Sequence, residues 1–339
     1  MFMNYFCYIL FFPMLFISSL MIFLSNSYFS MWMIMEINLI SFISMMIFDK
    51  LIKYNNLMNY FIIQSFNSYL FLLSSLFLNN NNNSILNFFI MMMNFSMMMK
   101  ISIFPFHIWY IKIMKNMNWM NIFLLSSFQK IIPLYCLNYI YNLLNILLKI
   151  NSLMILLSSL MCAIIGINQI FLKLMMSYSS MIQMSWIMII MFINEKSAIL
   201  YYLIYMMINF SLMMMFYKFN MNKVSDFHIM KFYNKFLYLM MMLMMMSLAG
   251  TPPLLGFLMK WVSVEMINIH IPMFMLMMMI FNSLISMFFY YRIIMNSMLK
   301  YYMMMKIKFK MLNINNKINK NVIIMNFMTL FFLMIYEIF

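Results

Sequence analysis

An all-α polytopic membrane fold of about eleven transmembrane helices, two inverted five-helix repeats plus a C-terminal helix, is predicted by three features of this sequence. Hydrophobic residues make up 67% of the 339 and mean hydropathy is +0.94, far above the roughly 45–50% apolar content of a soluble domain. The apolar residues form successive runs long enough for the roughly 20-residue helix that crosses a hydrocarbon core. Continuous runs such as Met240 to Met246 exclude a β-barrel, whose strands alternate in polarity over about ten residues.

The runs follow in order. The first, 5–24, has no preceding positive region and no small-residue cleavage site, so it reads as a retained helix rather than a signal peptide. The next, 31–48, follows the polar Ser25-Asn26-Ser27 turn, and 57–78 stops at the Asn79–Asn83 tract, a solvated low-complexity turn. Then come 84–104, 121–143, 152–171, 176–193, 199–217, 236–258 and 272–293, each set off by a short polar connection. A basic connection over 294–321 leads to the last run, 322–338. No loop is large enough to fold alone, so residues 1–339 form a single membrane domain.

Two segments carry proline inside and read as broken helices: 84–115 at Phe104-Pro105-Phe106, and 236–269 at Ala249-Gly250-Thr251-Pro252-Pro253. Proline removes an amide donor, and the carbonyls it frees are tolerated at membrane depth only where protein or a polar cavity satisfies them. The first break falls in the fourth run and the second in the ninth. This implies repeats over 5–143 and 152–293, and an odd number of spans per repeat inverts the second copy, as in many transporters.

A net charge of +15 invites a nucleic-acid reading, but the distribution of the charges assigns them elsewhere. With eleven spans, sixteen basic residues, among them Lys50, Lys53, Lys112, Lys115, Arg292, Lys308 and Lys310, fall on one side, against Lys149 and Lys196 on the other. That asymmetry is the positive-inside signature; it puts the N-terminus on the positive side and the C-terminus opposite. Cys7, Cys136 and Cys162 lie in apolar runs without metal or disulfide spacing. The three glycines form no phosphate loop, and His107, His228 and His270 are too scattered to suggest a metal site. Fifty-seven methionines beside a single arginine suggest A+T-rich coding with a reassigned Met codon, as in a mitochondrial gene.

The charges set deepest in apolar sequence are Glu36, Lys100, Lys130 and Lys260. A charge at the centre of a membrane helix costs about 2.5–3.5 kcal/mol on insertion scales, so such residues mark ion or proton pathways. Lysines near helix ends also snorkel to headgroups. Lys100, however, is followed by apolar sequence to Tyr110, and Lys130 stands about ten residues into its run, near the midplane. Lys260 follows the second break. A lysine that sheds and regains its proton beside a carboxylate is a proton relay, and His107, just past the first break, would extend it toward the positive side.

The motifs Trp32…Glu36-Ile37-Asn38, Lys100…Phe104-Pro105-Phe106-His107-Ile108-Trp109, Ser127-Phe128-Gln129-Lys130-Ile131-Ile132-Pro133, Gly166-Ile167-Asn168-Gln169, Tyr178-Ser179-Ser180…Trp186 and Gly250-Thr251-Pro252-Pro253-Leu254…Gly256-Phe257…Lys260-Trp261 stand in order along the chain. In this order and spacing the sequence resembles the chain 2 family of mitochondrial NADH–ubiquinone oxidoreductase, the antiporter-like membrane subunits of respiratory complex I. Its Met-rich, Arg-poor composition is similar to invertebrate members. The resemblance implies a proton-translocating inner-membrane subunit with eleven helices and no cofactor of its own; NADH, FMN, iron–sulfur clusters and ubiquinone are expected on other subunits. It implies roles in proton relay for Glu36, Lys100, Lys130 and Lys260. Implied partners are other membrane-arm and accessory subunits and phospholipids such as cardiolipin, with the positive side facing the matrix. One departure is visible: many relatives carry histidine where this chain has Gln183, so a relay there needs water or another side chain. A stand-alone cation/proton antiporter shares the repeat logic and would exchange ions alone in liposomes. A structural scaffold would have no use for four intramembrane charges.

The charge asymmetry generates a topological prediction. Protease added from the matrix face should cleave near Lys308 and Lys310, while Asn79–Asn83 should be reachable only from the intermembrane face. Cleavage of both from one side contradicts eleven spans.

Overall fold

The computed structural model describes residues 2–49, 52–79, 83–141, 145–227, 235–252, 254–270 and 272–304. His228, Pro253, most of the Asn79–Asn83 tract, Lys308, Lys310 and the expected helix over 322–338 lie outside the described residues. The described residues are helical, apart from turns and one isolated bridge between Phe171 and Lys223. The chain divides into two compact units, Met1–Ser159 and Leu160–Phe339.

The first unit contains α1 (Phe2–Met21), α2 (Tyr28–Ile47), α3 (Tyr54–Leu76), α4 (Asn83–Ile101), α5 (His107–Met114), α6 (Trp119–Ser126), α7 (Phe128–Tyr141) and the first part of α8 (Asn145–Ile167). α2 packs against α1 and α3, and α4 against α3 and α7. Ser27 starts α2 with a reciprocal cap, its Oγ accepting from Ser30 N at 3.2 Å while Ser30 Oγ accepts from Ser27 N at 3.3 Å. At the other end of α2 the buried Asp49 carboxylate accepts from the backbone N of Asn118 at 3.0 Å and from the side chains of Asn118 and Asn121. These contacts put an anion at the N-terminus of α6, the end where the helix dipole favours it. Asn94 of α4 and Asn151 of α8 exchange amide hydrogen bonds of 2.8 and 2.9 Å, so neither buried side chain is left unsatisfied.

The second unit contains α9 (Leu172–Met191), α10 (Glu195–Lys218), α11 (Lys235–Ala249), α12 (Leu255–His270) and α13 (Met273–Met304). α9 is buried along nearly its whole length, with α10, α12 and α13 packed against it. Arg292 of α13 donates to the carbonyl of Gln169 at 2.9 Å.

Six stretches among the described residues are long and apolar enough to cross a membrane: Tyr28–Ile47, Trp119–Tyr141, Ile150–Ile167, Leu172–Met191, Glu195–Lys218 and Met273–Met298. Ile9–Leu24, Ile85–Ile101 and Phe236–Ala249 are shorter apolar helices. α3 is 23 residues long but stands outside both sets because of its polar residues, and these point inward. Tyr60, Gln64, Asn67, Ser68 and Ser74 are buried, while Phe61, Ile62, Phe66, Tyr69 and Leu73 are exposed.

Two elements differ from the sequence reading. The run 121–143, read as continuous, is interrupted at Ser127, whose φ and ψ of −120° and −88° are not helical. Pro133, six residues on, has no amide to offer the carbonyl of Gln129. α13 also continues to Met304, past the boundary at 293, because 294–304 has no glycine or proline and still has an inner face: Ile294 and Ser297 are buried, and Ser297 is hydrogen-bonded to Tyr238.

Both proline-marked breaks use the same turn. α4 ends with Ser102 at φ 71°, Ser102 N bonded to Met99 O and Ile103 N to Met98 O, each at 3.2 Å. α11 ends with Gly250 at φ 80°, Gly250 N bonded to Ser247 O at 3.0 Å and Thr251 N to Met246 O at 3.3 Å. This is the Schellman arrangement, which returns two amides to carbonyls of the last turn. Glycine adopts the left-handed conformation freely; serine does so against a penalty of about 1–2 kcal/mol. Ser102→Gly is therefore expected to raise the thermal stability of the assembled complex, and Ser102→Val, branched at Cβ, to lower it. Residual activity after heating measures both, and equal stability of the two variants would contradict the strained turn.

Candidate functional site

In the first unit the structure brings Lys100 and Lys130 to one cavity, whereas Glu36 of α2 and His107 of α5 are not among its lining residues. Glu36 of α2 is half-buried, and its carboxylate accepts a hydrogen bond from Ser68 Oγ of α3. Lys100, in the last turn of α4, is buried and donates to the thioether of Met35 at 3.2 Å. Lys100 thus meets the residue of α2 next to Glu36, and its hydrogen bond goes to sulfur rather than to Glu36.

Lys130 is 2% exposed, an extreme value for a lysine, with its ammonium 4.4 Å from the centre of the Tyr110 ring. The break at Ser127 puts it in the first turn of α7, its amide bonded to Ser127 O at 2.8 Å. His107 begins α5, stacked on Phe104 with ring centres 5.8 Å apart.

Between these groups lie side chains that the sequence did not single out. Gln129 Nε2 donates to Asn38 Oδ1 at 2.7 Å, and its Oε1 accepts from Tyr60 Oη at 3.3 Å. Two small cavities adjoin them. One, about 10 Å³, is lined by Tyr60, Gln64, Lys100, Trp109, Tyr110, Gln129 and Lys130. The other, about 20 Å³, is lined by Met35, Asn38, Tyr60, Gln64, Lys100 and Gln129. A cavity of about 10–15 Å³ with several polar partners has room for one water. Asn67, on the same face of α3, is fully buried with neither amide atom hydrogen-bonded. The legible signal for this face was polar residues at 60, 64, 67 and 68, spaced to fall on one side of the helix.

Lys260 belongs to the second unit. Its ammonium donates to Ala249 O, the last carbonyl of α11, at 2.7 Å. Gln183 Nε2 donates to the preceding carbonyl, Leu248 O, at 3.1 Å, and Gln183 Oε1 accepts from Tyr201 Oη at 2.6 Å. Two glycines make this packing possible. A Cβ on Gly250 would stand 2.7 Å from Lys260 Nζ, and one on Gly256 would stand 1.7 Å from Ser247 O.

Such a constellation, buried lysines on interrupted apolar helices beside water-sized polar cavities, defines a membrane protein built to move cations or protons. The transmembrane family described as NADH:quinone oxidoreductase/Mrp antiporter matches residues 25–286. The chain belongs to that family. Within it, NADH-ubiquinone oxidoreductase chain 2 of Anopheles gambiae is 32% identical over 327 residues, 95% of this chain and 94% of that one. The same protein of Aedes aegypti is 35% identical over 90% of this chain and 86% of its own length. The chain is accordingly a member of the NADH-ubiquinone oxidoreductase chain 2 family. Respiratory complex I from Thermus thermophilus contains a chain of the same fold, with TM-score 0.75 at 14% identity over 92% of this chain and 74% of that one. A chain of the archaeal membrane-bound sulfane sulfur reductase gives 0.79 at 15% identity, over 96% and 72%.

Because Gly250 both adopts a left-handed conformation and lies under Lys260, Gly250→Ala is expected to displace the ammonium from Ala249 O and lower proton output per NADH. Gly256→Ala, which collides with backbone, is expected to reduce the amount of assembled complex instead. Native gels and proton-to-NADH ratios separate the two outcomes.

Proposed function

We propose that protons cross this chain through its polar interior, handed on by Glu36, Lys100, Lys130 and His107 in the first unit and by Lys260 in the second. The chain is a membrane-arm subunit of respiratory complex I and contributes to proton translocation coupled to electron transfer from NADH to ubiquinone. The observation that carries the reading is the cavity shared by Lys100 and Lys130, with Tyr60, Gln64 and Gln129 on its wall. That cavity has room for one water, and both lysines line it.

Lys100 lies in the last turn of α4 and Lys130 in the first turn of α7, directly after α6 ends at Ser127. Glu36, anchored by Ser68 and next in sequence to the residue that Lys100 touches, modulates the charge state of Lys100, which hands its proton to Lys130. His107 feeds the pair from the positive side, and Lys260 releases the proton.

The wider arrangement in this reading has eleven spans in inverted repeats over 5–143 and 152–293, the N-terminus in the matrix and the C-terminus in the intermembrane space. NADH, FMN, iron–sulfur clusters and ubiquinone are held by other subunits; neighbouring membrane-arm and accessory subunits surround this one. Phospholipid is the remaining partner. A groove of about 310 Å³, lined by Ile63, Pro105, Phe106 and Trp109 with Lys112 on its wall, supports an anionic lipid such as cardiolipin at that face.

Lys130→Met keeps length and apolar packing while removing the titratable group. Assembly should survive, and the ratio of protons translocated to NADH oxidised in sealed, reconstituted complex should fall. Lys130→Arg should fail as well, since guanidinium stays protonated. Glu36→Gln should act in the same direction. A normal ratio in both Lys130 variants would make the lysine structural.

A further inference from the structure

Gln183 stands at a junction of three helices, and both of its polar atoms are occupied. Its Nε2 donates to Leu248 O of α11, and its Oε1 accepts from Tyr201 Oη of α10. A carboxamide in this setting orients its neighbours but carries no proton, because it has no readily exchanged acid or base form near neutral pH. The phenol it holds is different. A hydroxyl has one proton and two lone pairs, so it takes a proton on one side while giving its own away on the other.

Tyr201 is 3% exposed and lines a cavity of about 10 Å³ together with Tyr205, Gln183, Ser247 and Gly256. One turn along α10, Tyr205 Oη accepts from Asn209 Nδ2 at 3.2 Å, so the polar face of that helix continues away from the break. Lys260 sits on Ala249 O, the carbonyl next to the one Gln183 occupies. The lysine and the phenol are thereby fixed to the same short piece of backbone.

We propose that the Tyr201 hydroxyl, seated by Gln183, is a proton-carrying group of the second unit, beside Lys260. This rests on the proton-carrying reading given above. Rotation about the C–O bond first turns the Tyr201 O–H from Gln183 Oε1 toward the Tyr205 hydroxyl, which lines the same cavity. A proton delivered from the Lys260 side by a water then binds Tyr201 Oη as the phenol's own proton passes to Tyr205 Oη, which releases its proton onward, and the new O–H returns to Gln183. At each oxygen one O–H bond forms and one breaks, and both phenols begin and end neutral. Gln183 is a positioning residue in this step.

The test is the proton-to-NADH ratio of sealed, reconstituted complex, a quantity that a mere reduction in assembled complex does not move. Tyr201→Phe removes a single oxygen and should lower the ratio. Adding Gln183→His to it places an imidazole, which carries protons, at the same junction and should restore the ratio. Tyr201→His provides a second reading that does not depend on the Phe variant assembling. Its ratio should acquire a pH dependence absent from the parent, because an imidazole gains and loses its proton in the range where a phenol does not. A parental ratio in Tyr201→Phe, or a parental pH profile in Tyr201→His, overturns the proposal. If Lys130→Met lowers the ratio and Tyr201→Phe does not, Tyr201 is excluded while the wider reading stands. If neither does, the wider reading falls with it.

Discussion

A helix that stops inside hydrocarbon exposes carbonyl groups that water cannot reach, and the protein must satisfy each of them itself. The end of α11 meets this requirement carbonyl by carbonyl. Met246 and Ser247 receive the amides of Thr251 and Gly250; Leu248 receives Gln183, and Ala249 receives Lys260. At the end of α4, Met98 and Met99 receive the amides of Ile103 and Ser102, and Trp109 adds its indole N–H to Met99 at 3.2 Å. Polar side chains are therefore drawn to the breaks by backbone need before any transport role is assigned. Lys260 meets that need with its ammonium, the same group that the proposed relay uses.

The second consequence is a helix with its polarity turned inward. α3 exposes Phe61, Ile62, Phe66 and Leu73 while burying Tyr60, Gln64, Asn67 and Ser68. In water such a helix would be inside out; in a bilayer the apolar face meets lipid and the polar face must find partners within the protein. Ser68 finds Glu36, and Tyr60 finds Gln129, which in turn holds Asn38. A buried polar network is stable only when its members are satisfied, and where side chains fall short a water completes it. Cavities with room for a water adjoin this network at Tyr60, Gln64 and Gln129.

Much of the architecture was legible because lipid restricts what sequence can do. The breaks at 102–106 and after Ala249 were marked by Pro105 and by Gly250 with Pro252, and Glu36, Lys100, Lys130 and Lys260 stood out as charges in apolar runs. The interruption at Ser127 was not legible. No glycine or proline stands there, and Ser-Ser-Phe-Gln is compatible with a continuous helix. The extension of α13 to Met304 was hidden for the opposite reason: composition marked a polar connection, whereas packing of Ile294 and Ser297 kept the helix going.

By itself the sequence determined the membrane class, the two proline-marked breaks and the charges worth following, since apolar run length, proline and buried lysine each carry a large local penalty or benefit. Only the tertiary structure decided which partners those charges meet. Lys100 rests on Met35, Lys130 lies over Tyr110, and Lys260 caps α11 beside a Gln183–Tyr201 pair. Those contacts join residues far apart along the chain, across helix faces whose rotation is set by the fit of many side chains at once. No local pattern in the sequence encodes that fit.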